Sequence, residues 1–188
     1  TCDPPHPTLS RWGALSIAVD AFLDELDNTN QDEHVALVSY SSDHTECGRN
    51  YLISEINSDL VSDYGVIRGE MARIGSAPVK GFTAISAGID DGVSVLTGPN
   101  IRRFAVPTMV LMTDGIQNRG REAVLAAEDA ADLGIVIHTI TFSDEADIAR
   151  MQAVANATGG RHFHAEDQDE LIQVFREIAA TLPVLLTQ

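Results

Sequence analysis

Thr108-Met-Val-Leu-Met-Thr-Asp-Gly-Ile-Gln117 is the stretch that decides how this chain is read. Thr108 to Met112 predicts a strand buried on both faces, as in a parallel sheet covered by helices. Asp114 and Gly115 follow at its carboxyl end. In open parallel sheets, ligands bind along that edge. A carboxylate there is placed to contact a metal or ligand. The competing reading is a structural aspartate that caps the turn.

The segments around it alternate. HVALVSYSS at 34–42 reads as a strand, with a weaker one near 51–56. Ile135 to Phe142 is a β-branched strand and Arg161 to His164 a short one. Between them run apolar stripes at helical spacing. Ser10 caps a helix with Trp12, Leu15, Val19, Phe22 and Leu26 on one face. A second helix opens at Ser58 or Asp59 and carries Leu60, Tyr64, Ile67, Met71 and Ile74. A third starts near Thr83, a fourth spans 121–133 and a fifth 144–158. The last is capped by Asp167 with Glu170 three residues on, a capping-box spacing, and stops at Pro183. This alternation predicts an α/β fold with a doubly wound, mostly parallel sheet. The whole of 1–188 is one domain, with 183–188 as a carboxyl-terminal tail. One irregularity stands out. The chain opens on a proline-rich loop and a helix, where a βαβ unit needs a strand first. The first, central strand is expected to be missing.

Composition narrows the function. With 188 residues and 44% hydrophobic content, the chain can bury a full core. Its formal charge is −16, from 28 acidic and 12 basic residues, which disfavours nucleic acid and anionic membrane surfaces. No apolar run approaches the ~20 residues that span a bilayer. A membrane link is therefore expected only through a segment outside this chain. Cys2 and Cys47 fit one disulfide or two free thiols, and their spacing matches no zinc motif.

Two short segments carry the chemistry. Gly81-Phe82-Thr83 puts a hydroxyl at a loop–helix junction, and Thr113-Asp114-Gly115 puts a carboxylate at a strand end. Hard oxygen donors of this kind suit Mg²⁺ or Mn²⁺ better than Zn²⁺. Thr83 has a competing role as a helix N-cap. Ser41 and Ser42 end a strand near the same face, where turn formation is the ordinary role. His162 and His164 alternate onto one strand face and read as structural. Asp90-Asp91 reads as a solvated helix face, and Asn156-Ala-Thr158 matches a glycosylation sequon. No nucleophile elbow, phosphate loop or spaced Cys–His pair occurs, so the chain is not read as an enzyme.

RWGALSIAVDAFLDEL, HVALVSYSS, GFTAISAGID, MVLMTDGIQNRG, GIVIHTITF and ATGGRHFHAEDQDELIQVFREIA together resemble a von Willebrand factor A domain over nearly the whole chain. The resemblance implies a Rossmann-like sheet flanked by helices and a metal-ion-dependent adhesion site. In that family an Asp-x-Ser-x-Ser loop after the first strand, a Thr and an Asp hold the ion. A partner's acidic side chain completes the coordination. Thr83 looks like the Thr and Asp114 like the Asp. No Asp-x-Ser-x-Ser precedes the first helix here, so the missing motif and the missing strand are one expected absence, read as truncation.

Two ligands alone imply weak or absent ion binding in this chain. That strand would sit between the strands at 34–42 and 106–112. Leaving its neighbours' buried peptide groups unpaired costs ~1–3 kcal/mol each, so something is expected to fill the gap: a separate peptide, a swapped segment or the tail Val184 to Leu186. REIAATLPVLLTQ is similar to the close of bacterial Tad/Flp-pilus-assembly proteins, which are exported and membrane-anchored. That likeness implies a protein-binding role in pilus or cell-surface assembly, in the periplasm or at the cell surface, with a Cys2–Cys47 disulfide. A metal-dependent hydrolase and a metal-free scaffold are the alternatives.

Overall fold

The computed structural model describes residues 2–29, 32–102 and 104–182. The expected helix stop at Pro183 and the tail Val184 to Leu186 lie outside the described residues. In chain order the elements are α1 (Arg11–Asp27), β1 (Val35–Tyr40), β2 (His44–Glu46), β3 (Arg49–Tyr51), β4 (Ser54–Val61), α2 (Tyr64–Gly75) and α3 (Ile85–Leu96). They continue as β5 (Thr108–Thr113), α4 (Ala123–Asp132), β6 (Val136–Phe142), α5 (Ile148–Ala157), β7 (His162–Ala165) and α6 (Gln168–Thr181).

β5, β6 and β7 form a parallel ladder, with Thr108 opposite Val136 and Thr139 opposite His162. β1 pairs antiparallel with β4, and β2 with β3. Helices cover both faces of the parallel ladder. On one side α3, α4 and α5 enclose Ile85, Ile89, Ala127, Ile137, Met151 and Val154. On the other, α1 and α6 enclose Ala18, Ile140, Leu171, Phe175 and Ile178. Ile137 and Ile140 are fully buried, and each side chain of this kind contributes ~1.5–3 kcal/mol through removal from water. The α/β, doubly wound reading holds.

Two helix starts and one hairpin differ from the sequence reading. The helix expected from Ser58 begins only at Tyr64, because Asp63 caps it by accepting from Gly65 N at 2.9 Å. Leu60 belongs instead to β4. The stripe keeps its buried members Tyr64, Ile67 and Met71. The helix expected from Asp144 starts at Ile148, since Asp147 accepts from Arg150 N at 3.1 Å. Residues 144–146 are loop. The β2–β3 hairpin was not anticipated; its turn passes through Cys47 and Gly48, both at positive φ (54° and 72°). The capping box at α6 is half as expected. Asp167 accepts from Glu170 N at 2.9 Å, but the Glu170 carboxylate accepts from Glu166 N rather than from the cap.

The expected gap has a physical counterpart. Among the described residues, no strand joins the β1–β4 pair to the β5–β6–β7 ladder. No Cα of β1 comes within 8 Å of a Cα of β5, whereas paired strands lie ~4.8 Å apart. The flanking strands nevertheless keep their own partners. Apolar side chains line this slot on both faces. Val19 and Phe22 of α1 pack against the same buried cluster as Val110 and Met112 of β5, and against another shared with Val35 and Leu37 of β1. From the α3 side, Tyr40 crosses the slot and its hydroxyl donates to Met112 O at 2.5 Å. Burial holds the Tyr40 phenol well above its ordinary pKa, so it stays a donor. The α1 stripe is accordingly only half-buried at Leu15, Val19 and Phe22, though Leu26 is buried as expected, and Gly13, Ala14, Ala18, Ala21 and Leu23 are the other buried positions.

Candidate metal-binding face

The site is assembled at the carboxyl ends of β1 and β5. Thr113 closes β5 and is buried; its hydroxyl accepts from Gly115 N at 3.3 Å. The turn after β5 is therefore held by Thr113, and the Asp114 carboxylate has no part in capping it. Among the described residues, that carboxylate meets the Arg11 guanidinium, 3.6 Å from Oδ2. The side chain of Asp114 is 47% exposed, open enough to take a ligand from solution.

Thr83 is delivered to the same place by a different loop. Its N–H donates to Asn118 Oδ1 at 3.0 Å, and its carbonyl accepts from Asn118 N (3.0 Å) and Arg119 N (3.3 Å). This reciprocal clasp ties the start of α3 to the loop after Asp114. A Cβ built on Gly115 would sit 3.3 Å from Thr83 Oγ1. The hydroxyl thus lies against the residue that follows Asp114. It does not cap α3: the N-cap position is Ala84, with no side-chain bond, and Thr83 Oγ1 has no hydrogen-bond partner among the described residues. The structure brings together the two residues singled out in the sequence and leaves both side-chain oxygens free of the capping roles weighed against them.

Ser41 and Ser42 hold this arrangement in place. Ser41 Oγ donates to Lys80 O at 2.8 Å, and Ser42 Oγ accepts from Phe82 N at 3.0 Å. Between them Gly81 takes φ +120°, where a Cβ would collide with Ser41 Oγ. The 78–82 loop is also braced by the hairpin, through Tyr51 OH to Pro78 O (2.9 Å) and Lys80 to Glu46 (3.4 Å). Cys2 and Cys47 are joined as a disulfide that ties the segment before α1 to this hairpin.

Arg11, Asn118 and Ser143 were not singled out in the sequence. Arg11 donates to Glu145 at 2.5 Å as well as facing Asp114. The Glu145 hydrogen bond first, then the charge of Asp114, raises its pKa despite a desolvation cost. Ser143 follows β6 at φ +73°, and among the described residues its buried Oγ has no partner. A strained, unsatisfied serine at a sheet's carboxyl edge is a feature that no spacing in the sequence announces.

The donor set fits a hard divalent cation in kind. Thr83 and Asp114 offer a hydroxyl and a carboxylate oxygen, the ligand chemistry of Mg²⁺ or Mn²⁺. In number it is partial: among the described residues no group of three or more His, Cys, Asp or Glu could hold an ion. The remaining sequence candidates lie elsewhere. His162 Nδ1 meets Thr139 Oγ1 and His164 Nδ1 meets Thr141 Oγ1, both at 2.9 Å, a strand-to-strand polar network. Asp90 is exposed, as expected of a solvated helix face, and pairs there with Arg121 at 2.6 Å. Thr158 of the sequon accepts from Ile137 N at 2.9 Å.

A family model for the von Willebrand factor type A domain matches residues 10–177. The chain belongs to that family. No curated protein matches it in sequence. Among solved structures it is similar to an aerotolerance-related membrane protein from Bacteroides fragilis, with 16% identity, a TM-score of 0.71, and 93% of this chain and 90% of that one covered. It is similar to proximal thread matrix protein 1 from the mussel byssus, described with a zinc-occupied MIDAS motif (16% identity, TM-score 0.67, 93% of this chain and 40% of that one). It is also similar to the pilus adhesin SpaC from Lactobacillus rhamnosus GG (18% identity, TM-score 0.69, 90% of this chain and 28% of that one). The chain spans less than half of the mussel and Lactobacillus chains. At these identities the likeness establishes the fold. Among the described residues, no helix is long and apolar enough to cross a membrane.

Proposed function

We propose that this domain is a protein-binding adhesion module that engages its partner at the Thr83–Asp114 face through Mg²⁺ or Mn²⁺. One observation carries the reading. Thr83 and Asp114 come from separate elements, the Thr83 backbone is clasped by Asn118 in the loop that follows Asp114, Thr83 Oγ1 lies against Gly115, and both side-chain oxygens stay out of the local capping bonds. A bound ion would supply a positive centre for an acidic side chain of the partner. The zinc-occupied mussel relative and the pilus adhesin support a metal-dependent adhesive role in this family.

The finer setting is an exported bacterial protein of pilus or cell-surface assembly. It works in the periplasm or at the cell surface, anchored through a segment outside this chain. A Cys2–Cys47 disulfide supports a compartment outside the reducing cytosol. The slot between β1 and β5, with apolar walls and two unjoined strand edges, suits an extended apolar segment as part of the working assembly.

Partner binding measured with Mg²⁺, with Mn²⁺ and with EDTA tests the reading. Metal-dependent binding that Asp114→Ala abolishes is the expected result. Turnover of a phosphoester would favour a hydrolase, and binding indifferent to metal would leave a scaffold.

A further inference from the structure

We infer that Phe82, Ile116 and Arg119 form a recognition patch for a partner segment in which a carboxylate sits beside an apolar side chain. The inference rests on the reading of this face as the binding face, and it adds a metal-independent contact to it.

Phe82 precedes Thr83, and Ile116 lies two residues after Asp114. Both are large apolar side chains more than half exposed, at 52% and 58%. Scattered single exposures are ordinary, but these two flank the two site residues directly. The Arg119 guanidinium lies over the Phe82 ring, 4.1 Å from its centroid. A cation held over a ring in this way keeps N–H donors for a carboxylate, the group a guanidinium binds best.

Arg119 Nη1 donates to Asn118 O at 2.9 Å, yet among the described residues the guanidinium has no carboxylate partner. Arg49 and Arg176 likewise show no carboxylate partner among the described residues, but neither is seen over an aromatic ring; Arg161, which lies over Phe163, is paired with Glu177. In a chain with 28 acidic residues, an arginine held on an aromatic ring without an acid is a vacant carboxylate receptor. The net charge of −16 repels an acidic partner at a distance, so acceptance at this face depends on a local cation. The patch is also fixed in place. Arg119 N donates to Thr83 O, and the neighbouring Asn118 clasps Thr83 from both sides. Its ordering cost is therefore largely met before a partner arrives.

Titration of the ¹⁵N-labelled protein with acetyl-Leu-Asp-Leu-amide, and with its Asn counterpart, tests the inference when done in EDTA. The expected result is saturable shifts at Phe82, Ile116 and Arg119, with the Asp peptide binding about five-fold more tightly, as a charge-assisted pair requires. Arg119→Ala should erase the preference for Asp, and Asp114→Ala should leave it intact. Equal binding of the two peptides, no shifts at these residues, or a preference that survives Arg119→Ala would overturn it. Repeating the titration in Mg²⁺ separates the two readings. Binding seen only with metal and lost in Asp114→Ala would uphold the metal site and defeat the Arg119 patch.

Discussion

The guanidinium of Arg11, at the first turn of α1, lies 3.6 Å from Oδ2 of Asp114 and 2.5 Å from Oε2 of Glu145. A cation of the protein's own thus stands beside the carboxylate that a divalent ion would use. The pair is half-exposed, at 45% and 47%, so its attraction is of the surface kind, ~0.2–1 kcal/mol. Arg11→Ala should therefore tighten Mn²⁺ binding by roughly two- to five-fold in calorimetric titration. Asp114→Ala should remove it.

The Cys2–Cys47 disulfide spans a sequence separation of 45. Closing a loop of that length restricts the unfolded chain by ~4 kcal/mol in the loop-entropy picture. Reduction should lower the thermal midpoint by about 10 °C for a domain of this size. Intact mass measured without reductant should show no free thiol. Two free thiols in protein from an oxidising compartment would contradict the pairing.

Gly81 and Gly48 both lie at positive φ, but only Gly81 is crowded, by Ser41 Oγ, Ser42 Oγ and His44. Gly81→Ala should cost ~1–3 kcal/mol in chemical denaturation and displace Thr83, weakening Mn²⁺ binding as well. Gly48→Ala meets nothing within 4 Å and should leave ion binding unchanged.

His162 packs between Thr139 and Thr141 and beside His164. Burial first, and then the charge of His164, lowers its pKa below the ordinary imidazole value. As pH falls below about 6.5, the unfolded chain takes up a proton that the folded chain resists, so stability declines with falling pH. Urea midpoints at pH 7.5 and pH 5.0 should show this loss. His162→Gln should make it smaller.

The fold was legible because its core elements each carry a period that survives in sequence. Ile137 and Ile140 sit in a β-branched run, and Leu171, Phe175 and Ile178 recur at helical spacing. The positions of Thr83 and Asp114 at element ends were legible because each precedes or follows such an element by a residue or two. The hairpin was not, since β2 and β3 have three residues each and its stability comes from long-range partners such as Tyr51 to Pro78. Leu60 was misplaced because a helical stripe and a strand both accept an apolar residue four before Tyr64; the Asp63 cap decided between them. Arg11 and Asn118 act across 103 and 35 positions, distances at which no local pattern speaks.

The central claim is that Thr83 and Asp114 form the divalent-ion face of this domain. Paramagnetic broadening by Mn²⁺ in the ¹⁵N spectrum tests it most directly, because broadening falls steeply with distance from the ion. The account predicts broadening centred on Thr83, Asp114 and Gly115 that Asp114→Ala abolishes. Broadening spread over the acidic surface at Asp20, Asp24 and Asp129, with Thr83 and Gly115 unaffected, would contradict it.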